Sequence, residues 1–311
     1  MKIRIQPFLM ALALAALSAC GKSEVTNTPT SGNVTISVDE SFKPIIASQV
    51  NTFEGIYKYA QIEPQYLSEG AVIESLLNDS SQVAVLSREL TEQEKAVFDQ
   101  RKIIPRVTKI AIDAIALIVN NDNPDSLLTM EQVKAIFNGD IKSWKELNSE
   151  SNLEDITIVF DNNNSSTSRY VRDSLTADHK LPQNTFASNS HEALIDYVSQ
   201  NKNALGVIGV NWISDLDDST AVGFLNKIKV IGISKDPNPV TTESYYQPYQ
   251  AYIAQGAYPL RRFLYMISAE GRAGLGTGFV SFVAGDKGQR IILKSGLVPA
   301  TMPVRVIGLG N

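Results

Sequence analysis

The 311-residue sequence contains a single cysteine, Cys20, and only two histidines, His179 and His191. One cysteine excludes a disulfide within the chain and a metal site built from several thiolates. The two histidines are too far apart for the HExxH spacing of a metalloprotease, and neither GxSxG nor GxxxxGK[ST] occurs. We therefore expect no enzyme activity, no resident metal and no cofactor.

An excess of positive charge is also absent, because the net charge is -5 and the isoelectric point is about 5.2. Such a balance argues against nucleic acid as a partner. The apolar run at residues 8–17 is too short for a stable membrane span and follows the basic residues Lys2 and Arg4. Together these features predict an N-terminal signal peptide.

The end of this segment, Leu-Ser-Ala-Cys at residues 17–20, resembles a bacterial lipoprotein signal. The resemblance implies that residues 1–19 are removed and that Cys20 carries the lipid. An ordinary secretory signal with an incidental cysteine is the alternative. Residues 20–33 hold few apolar side chains and are predicted to be a flexible tether between the lipid and the folded part.

From residue 34 the chain alternates between short apolar strands and amphipathic helices. Strands at 34–38, 62–67 and 83–86 are each followed by a polar turn and a helical pattern. This alternation predicts an α/β fold, in which ligands bind beyond the carboxyl ends of the strands. Ser41, Ser68 and Ser87 fall at those ends, although each serine alone is equally suited to capping a helix.

The most informative stretch is residues 160–175, where a strand is followed by a turn and by three consecutive hydroxyl residues, Ser165, Ser166 and Thr167. The first N–H groups of a helix have no partner within it and carry partial positive charge. A helix start lined with hydroxyls therefore suits an anion. The alternative is that Ser165 merely caps the helix.

Two further patterns concern the second half of the fold. Asp113 interrupts the apolar strand at residues 109–120, so it is either paired or placed where the strand passes from one domain to another. Pro259 suits the first turn of a helix. It is predicted to begin a helix that carries Leu260, Phe263, Leu264 and Ile267.

Four segments together resemble the phosphate-binding, periplasmic-type receptors of ABC phosphate importers. They are residues 128–147 (LTMEQVKAIFNGDIKSWKEL), 165–169, 258–267 and 279–299. The resemblance implies the two-lobe periplasmic binding protein fold of the type II-like kind, with two α/β lobes joined by two crossing strands. It places lobe one at 34–114 plus 246–311, lobe two at 115–245, and a hinge at 113–116 and between 234 and 251.

Three loops of this chain match the family's ligand-binding positions, and Arg169 is a candidate replacement for a family arginine that this chain does not have. Asp161 stands where that arginine is expected, and Gln82 stands where the family has an acidic acceptor for the ligand's proton. Arg169 is equally suited to pairing on the surface with Asp173, and Arg88 is open to the same two interpretations. The predicted ligand-binding residues are Glu40, Ser41, Phe42, Ser68, Glu69, Gly70, Ser165, Ser166, Thr167 and Arg169.

The resemblance implies an extracytoplasmic lipoprotein that captures phosphate or a similar oxyanion for an ABC permease in the inner membrane. The protein would be held in the cell envelope by the lipid on Cys20. The two departures, Asp161 and Gln82, leave an alternative open: the same fold used as a surface sensor or binding protein for a different ligand.

Overall fold

A computed structural model describes residues 27–302. The predicted signal peptide and Cys20 lie outside these residues, as does the start of the tether. The described strands are β1 Ser31–Asp39, β2 Tyr59–Leu67, β3 Val83–Leu86, β4 Arg106–Asn120, β5 Leu127–Thr129, β6 Thr157–Phe160, β7 Thr185–Ala187, β8 Ala204–Gly209, β9 Ile228–Val230, β10 Gly232–Ser234, β11 Arg261–Ser268 and β12 Val298–Pro299.

The described α-helices are α1 Lys43–Ile56, α2 Glu69–Leu77, α3 Glu92–Gln100, α4 Met130–Asn138, α5 Trp144–Leu147, α6 Ser166–Ser174, α7 His191–Gln200, α8 Ser219–Leu225, α9 Gln250–Gln255, α10 Leu275–Ala284 and α11 Asp286–Lys294. Short 3₁₀ turns cover Glu40–Phe42, Val210–Trp212 and Thr242–Ser244. The predicted alternation of strand and helix from β1 to α3 is confirmed.

The long strand β4 organises the sheet because it belongs to both halves of the molecule. Its first part pairs antiparallel with β11 and β12, and its second part pairs antiparallel with β8 and β9. Parallel strands β1, β2 and β3 extend the sheet beyond β11, and parallel strands β6 and β7 extend it beyond β8. The result is two α/β lobes that share β4, as the family resemblance predicted.

Apolar side chains of both lobes form one continuous core along β4. Six consecutive residues of this strand, 114–119, have no exposed surface, and the facing strand β8 is buried throughout. Strands buried on both faces have few polar positions, which explains the apolar runs in the sequence. A smaller core under α2 and α3 contains Leu76, Leu86 and Phe98.

The predicted helix beginning at Pro259 is wrong, because residues Arg261–Ser268 form strand β11 between β3 and β4. Arg262, Leu264 and Met266 are buried while Arg261, Phe263 and Tyr265 are more exposed, and this alternation has the period of a strand. The two arginines and two aromatic residues of the segment hid that period. Ladder pairing on both sides overrides the local helical pattern.

Candidate functional site

The carboxyl ends of two sets of strands meet at the middle of β4. Strands β1 and β3 end beside the start of β11, and β6 and β8 end near Ile115. Strands β1 and β3 run in the direction of β4, whereas β6 and β8 run opposite to it, so the loops after these four strands face each other across the crossing point. The sheet topology therefore brings the predicted ligand loops of the two lobes together.

Arg262 lies at the centre of this meeting point, and sequence reasoning did not single it out. The side chain is almost fully buried and donates from Nε to Asp113 Oδ2 at 2.7 Å and from Nη1 to Ser166 Oγ at 2.9 Å. Its guanidinium also stacks over the Phe42 ring, with 4.6 Å to the ring centroid. Nη2 has no hydrogen-bond partner among the described residues.

The Arg262–Asp113 pair resolves the question that Asp113 raised in the sequence, since this carboxylate is both paired and located at the crossing of the lobes. Burial raises the pKa of Asp113, and the adjacent guanidinium opposes that shift. A signal was present: Asp113 lies within the apolar run of β4, and two arginines precede the apolar residues of β11. Without the strand assignment for β11, nothing indicated that the two charges face each other.

The loop after β1 supplies Ser41 from lobe one. Ser41 Oγ lies 3.2 Å from Ser166 Oγ of lobe two, and both side chains are fully buried. Asn211, just after β8, donates to the Ser41 carbonyl and accepts from the Ile45 N–H, so lobe two grips the start of α1. The predicted residues Ser41, Phe42 and Ser166 are thus brought together, whereas Glu40 beside them is partly exposed.

Asp39 at the end of β1 is a second site residue that the sequence did not reveal. Its Oδ1 accepts the Ser41 N–H at 3.0 Å, while Oδ2 is buried without a partner among the described residues. Burial and the nearby charge of Glu69 raise the pKa of Asp39 from 3.8 to about 7. A carboxyl group in this state can accept a hydrogen bond from a ligand or hold a proton itself.

At the start of α6 the plain capping interpretation holds for Ser165, whose Oγ accepts the Ser168 N–H. Ser165 and Thr167 also donate to Asp161 Oδ1 at 2.9 and 2.5 Å. Asp161, which stands in place of the family's arginine, therefore binds two of the three predicted hydroxyls. The Ser166 hydroxyl is the one that turns towards lobe one.

Behind Asp161 the buried His191 stacks on Trp212, with the ring centroids 4.6 Å apart. Its Nδ1 lies 3.8 Å from Asp161 Oδ2, and neither ring nitrogen has a hydrogen-bond partner among the described residues. Burial lowers the pKa of His191. The ring packs behind Asp161, whereas His179 is exposed in a turn.

Arg169 faces the cleft; its predicted pairing with Asp173 is confirmed, and its role as a cation for the ligand stays a prediction. It donates from Nε to Glu69 Oε1 at 2.5 Å and from Nη2 to Glu69 Oε2 at 3.1 Å, and it also pairs with Asp173. Ser87 Oγ accepts from the same guanidinium and donates to Glu69. Arg88 joins this group while binding Glu94 with both of its terminal nitrogens.

Beyond this group a cavity of about 490 Å³ opens at the cleft mouth, lined by Ser68, Gly70 and Arg172 among others. Ser68 precedes α2 without using its hydroxyl as a cap. Gln82 lies elsewhere: it precedes β3 and bonds to Thr35 and Ala269 through its backbone. The expectation that Gln82 occupies the family's acceptor position in the cleft is wrong, because it lies at the opposite end of β3 from Ser87.

The part of the chain that the structure describes contains no group of His, Cys, Asp and Glu arranged to hold a metal ion. Within residues 27–302 no helix has the length and apolar character needed to cross a membrane.

The two lobes and the polar cleft between them define a solute-binding protein of the periplasmic type. A sequence model of the PBP superfamily domain matches residues 23–287, and the chain belongs to this superfamily. This membership confirms the predictions of the fold and of a binding protein rather than an enzyme.

Curated relatives confirm the resemblance to phosphate-binding proteins. The chain is similar to the phosphate-binding protein PstS of Pseudomonas aeruginosa, with 23% identity over 89% of this chain and 85% of the relative. It is also similar to PstS of Staphylococcus saprophyticus subsp. saprophyticus, with 27% identity over 79% of this chain and 74% of the relative.

Solved structures show the same fold. One is a phosphate ABC transporter substrate-binding protein from Clostridium perfringens with bound phosphate, with a TM-score of 0.72, 23% identity, and coverage of 87% of this chain and 100% of that one. Another is an ABC-type phosphate transport receptor from Vibrio cholerae, with a TM-score of 0.63, 22% identity, and coverage of 86% and 100%.

Proposed function

We propose that this protein captures phosphate, or a related oxyanion, between its lobes and delivers it to an ABC permease in the inner membrane. The observation that carries the proposal is Arg262: a buried guanidinium, held by Asp113, whose Nη2 has no hydrogen-bond partner within residues 27–302. A buried cationic donor is well suited to an oxyanion. The phosphate-binding relatives support the same ligand.

The remaining donors of the proposed site are neutral. Ser41 and Ser166 offer hydroxyls from opposite lobes, and the first N–H groups of α2 and α6 add donors from Glu69, Gly70, Ser166 and Thr167. An acidic protein can hold an anion in this way, because distant surface charges are screened while the donors act at contact distance. Closure of the two lobes around the ligand would bend the chain near residues 113–116 and 234–251.

Asp39 gives this site a means of choosing between oxyanions. Its buried Oδ2 needs a hydrogen-bond donor. A phosphate ion that keeps a proton can supply one, whereas a fully ionised sulfate cannot. Asp39 would therefore supply the proton-accepting carboxylate that the family resemblance expects and that Gln82 cannot provide.

The second candidate function is the binding or sensing of a different solute. The observation that favours it is the number of carboxylates in the cleft, since Asp39, Glu69 and Asp161 are all buried there. A ligand that offers several hydrogen-bond donors, such as a protonated or hydroxyl-bearing oxyanion, would suit these groups better than sulfate.

Titration calorimetry of the mature chain with phosphate and with sulfate tests the proposal. We expect micromolar or tighter binding of phosphate and much weaker binding of sulfate. Ser166→Ala removes a hydroxyl between the lobes and is expected to weaken phosphate binding about tenfold, the effect of roughly one hydrogen bond to a charged group. The absence of heat with phosphate would contradict the proposal.

Ser168→Ala is the matched control on the same helix turn. The Ser168 hydroxyl donates to the carbonyls of Asn163 and Ser165 and does not reach lobe one. Its removal is expected to leave phosphate affinity unchanged. If both serine variants lose the same affinity, Ser166 acts through the stability of α6 and not as a ligand.

A further inference from the structure

The side chain of Glu69 is the feature that the proposed function does not use. Glu69 is the first residue of α2, and its backbone N–H is one of the proposed donors. Its carboxylate is only 4% exposed and points into the cleft between the lobes. A buried carboxylate is costly unless it is paired and hydrogen-bonded.

The contacts of this carboxylate are those expected for a bound oxyanion. Arg169 of lobe two grips both oxygens, at 2.5 and 3.1 Å. Ser87 of lobe one donates its hydroxyl at 3.0 Å, and the Arg88 Nε lies 3.6 Å away. A two-pronged guanidinium contact with an added hydroxyl is a strong form of anion recognition.

We propose that the Glu69 carboxylate is a built-in competitor of the solute: it occupies the outer donors of the cleft and lowers the affinity for a free anion. The proposal rests on the proposed function, because the competing solute is the oxyanion assigned above. An entering anion gains Arg169 and Ser87 only when Glu69 gives them up. The affinity of the site is thereby tuned by one side chain.

The same contact joins the two lobes. Glu69 and Ser87 belong to lobe one and Arg169 to lobe two, so their ion pair bridges the cleft mouth. Asp173, one helical turn after Arg169, accepts from Nη1 at 3.2 Å and keeps the guanidinium in place. This ion pair therefore helps to hold the two lobes together at the cleft mouth.

Glu69→Gln tests the proposal, because it keeps the shape of the side chain and removes its charge. We expect phosphate affinity to rise about tenfold by calorimetry, since a neutral amide holds Arg169 less strongly. Glu74→Gln is the matched control: Glu74 lies on the same helix and lines the same cavity, but it is exposed and forms no ion pair among the described residues. Its affinity is expected to equal that of the unaltered protein.

Arg169→Gln distinguishes competition between Glu69 and the solute from the mere loss of the Glu69–Arg169 ion pair. It breaks the same pair from the other lobe, but it also removes an anion donor, so phosphate affinity is expected to fall. Unchanged or lower affinity in Glu69→Gln overturns the proposal. A rise that Glu74→Gln reproduces equally also overturns it, because the effect is then one of net charge.

Small-angle X-ray scattering without solute provides a readout that does not depend on phosphate. Both Glu69→Gln and Arg169→Gln are expected to have a larger radius of gyration than the unaltered protein. If no variant binds phosphate, the proposed function fails, and the scattering alone decides whether Glu69 closes the cleft. Equal radii in all three proteins would refute the closing contact.

Discussion

At the scale of single residues, the buried charges decide how this cleft works. Arg262 cannot be removed cleanly, because its loss would leave Asp113 buried without a partner. Breaking one side of such a pair typically costs about 3–5 kcal/mol. Variants of Arg262 would therefore change folding and binding together, which is why Ser166 and Glu69 are better probes of the ligand site.

Asp39 leads to a prediction about pH. Its pKa in the folded protein is about 7 against an ordinary 3.8, so between these values the folded chain holds a proton that the unfolded chain has lost. Its contribution to the free energy of unfolding is greatest at low pH and is lost as the pH rises through about 7. We expect Asp39→Asn to abolish this decline, which amounts to at most about 1.4 kcal/mol per pH unit.

Urea unfolding at several pH values from below 3.8 to above 7 measures this effect. Asp99→Asn is the control, because Asp99 is an exposed carboxylate on α3. His191, whose pKa is lowered by burial, contributes a slope of the opposite sign at acidic pH and is present in all of these proteins. Parallel pH curves for the unaltered protein and Asp39→Asn would show that Asp39 is ionised throughout.

At the scale of elements, Gly209 at the end of β8 packs closely against Arg262 at the start of β11. Gly209 has an ordinary extended backbone, with φ of -70°, so its lack of a side chain is not needed for conformation. A Cβ at this position would lie 2.8 Å from Arg262 Nη2. The glycine leaves room for the guanidinium to reach between the lobes.

Gly209→Ala is therefore expected to displace the Arg262 guanidinium and weaken phosphate binding by about tenfold, on the order of one charged hydrogen bond. Calorimetry measures this loss, and circular dichroism should show an unchanged fold.

Gly223→Ala, in α8 with open space around the new Cβ, is the control. It is expected to keep full affinity and to gain roughly 0.5–1 kcal/mol of stability, as alanine does in helices. Unchanged affinity in Gly209→Ala would mean that Arg262 Nη2 does not contact the ligand.

At the scale of the whole molecule, the proposed function needs a ligand cleft and an attachment to the membrane. The relatives support an extracytoplasmic binding protein, and the lipid on Cys20 would hold it at the membrane surface. We expect Cys20→Ser to move the protein from the membrane fraction to the soluble fraction after cell lysis. Phosphate affinity should be unchanged, because Cys20 is not one of the residues that form the proposed ligand site.

Fractionation followed by immunoblotting makes this test. Thr26→Ser, a serine replacement within the predicted tether, is the control, and this variant should stay in the membrane fraction. If Cys20→Ser also stays there, another part of the chain or a partner protein holds it. The lobe boundaries, at 34–114 with 246–311 and at 115–245, remain predictions from the family resemblance.

The sequence by itself determined the α/β class, the strand ends at Ser41, Ser68 and Ser87, and the capped helix start at Ser165. These features depend on local periodicity and on capping, which a short stretch of chain expresses alone. The segments that resemble the family also predicted the two-lobe architecture.

Only the tertiary structure decided which polar groups make the site. Arg262 and Asp113 are 149 positions apart, and they meet because β11 pairs with β4. The same pairing turned an expected helix at Pro259 into a strand. Asp39, Glu69 and Arg169 likewise acquire their roles from partners on distant segments, since the burial that raises a pKa or strengthens an ion pair is a property of the folded molecule.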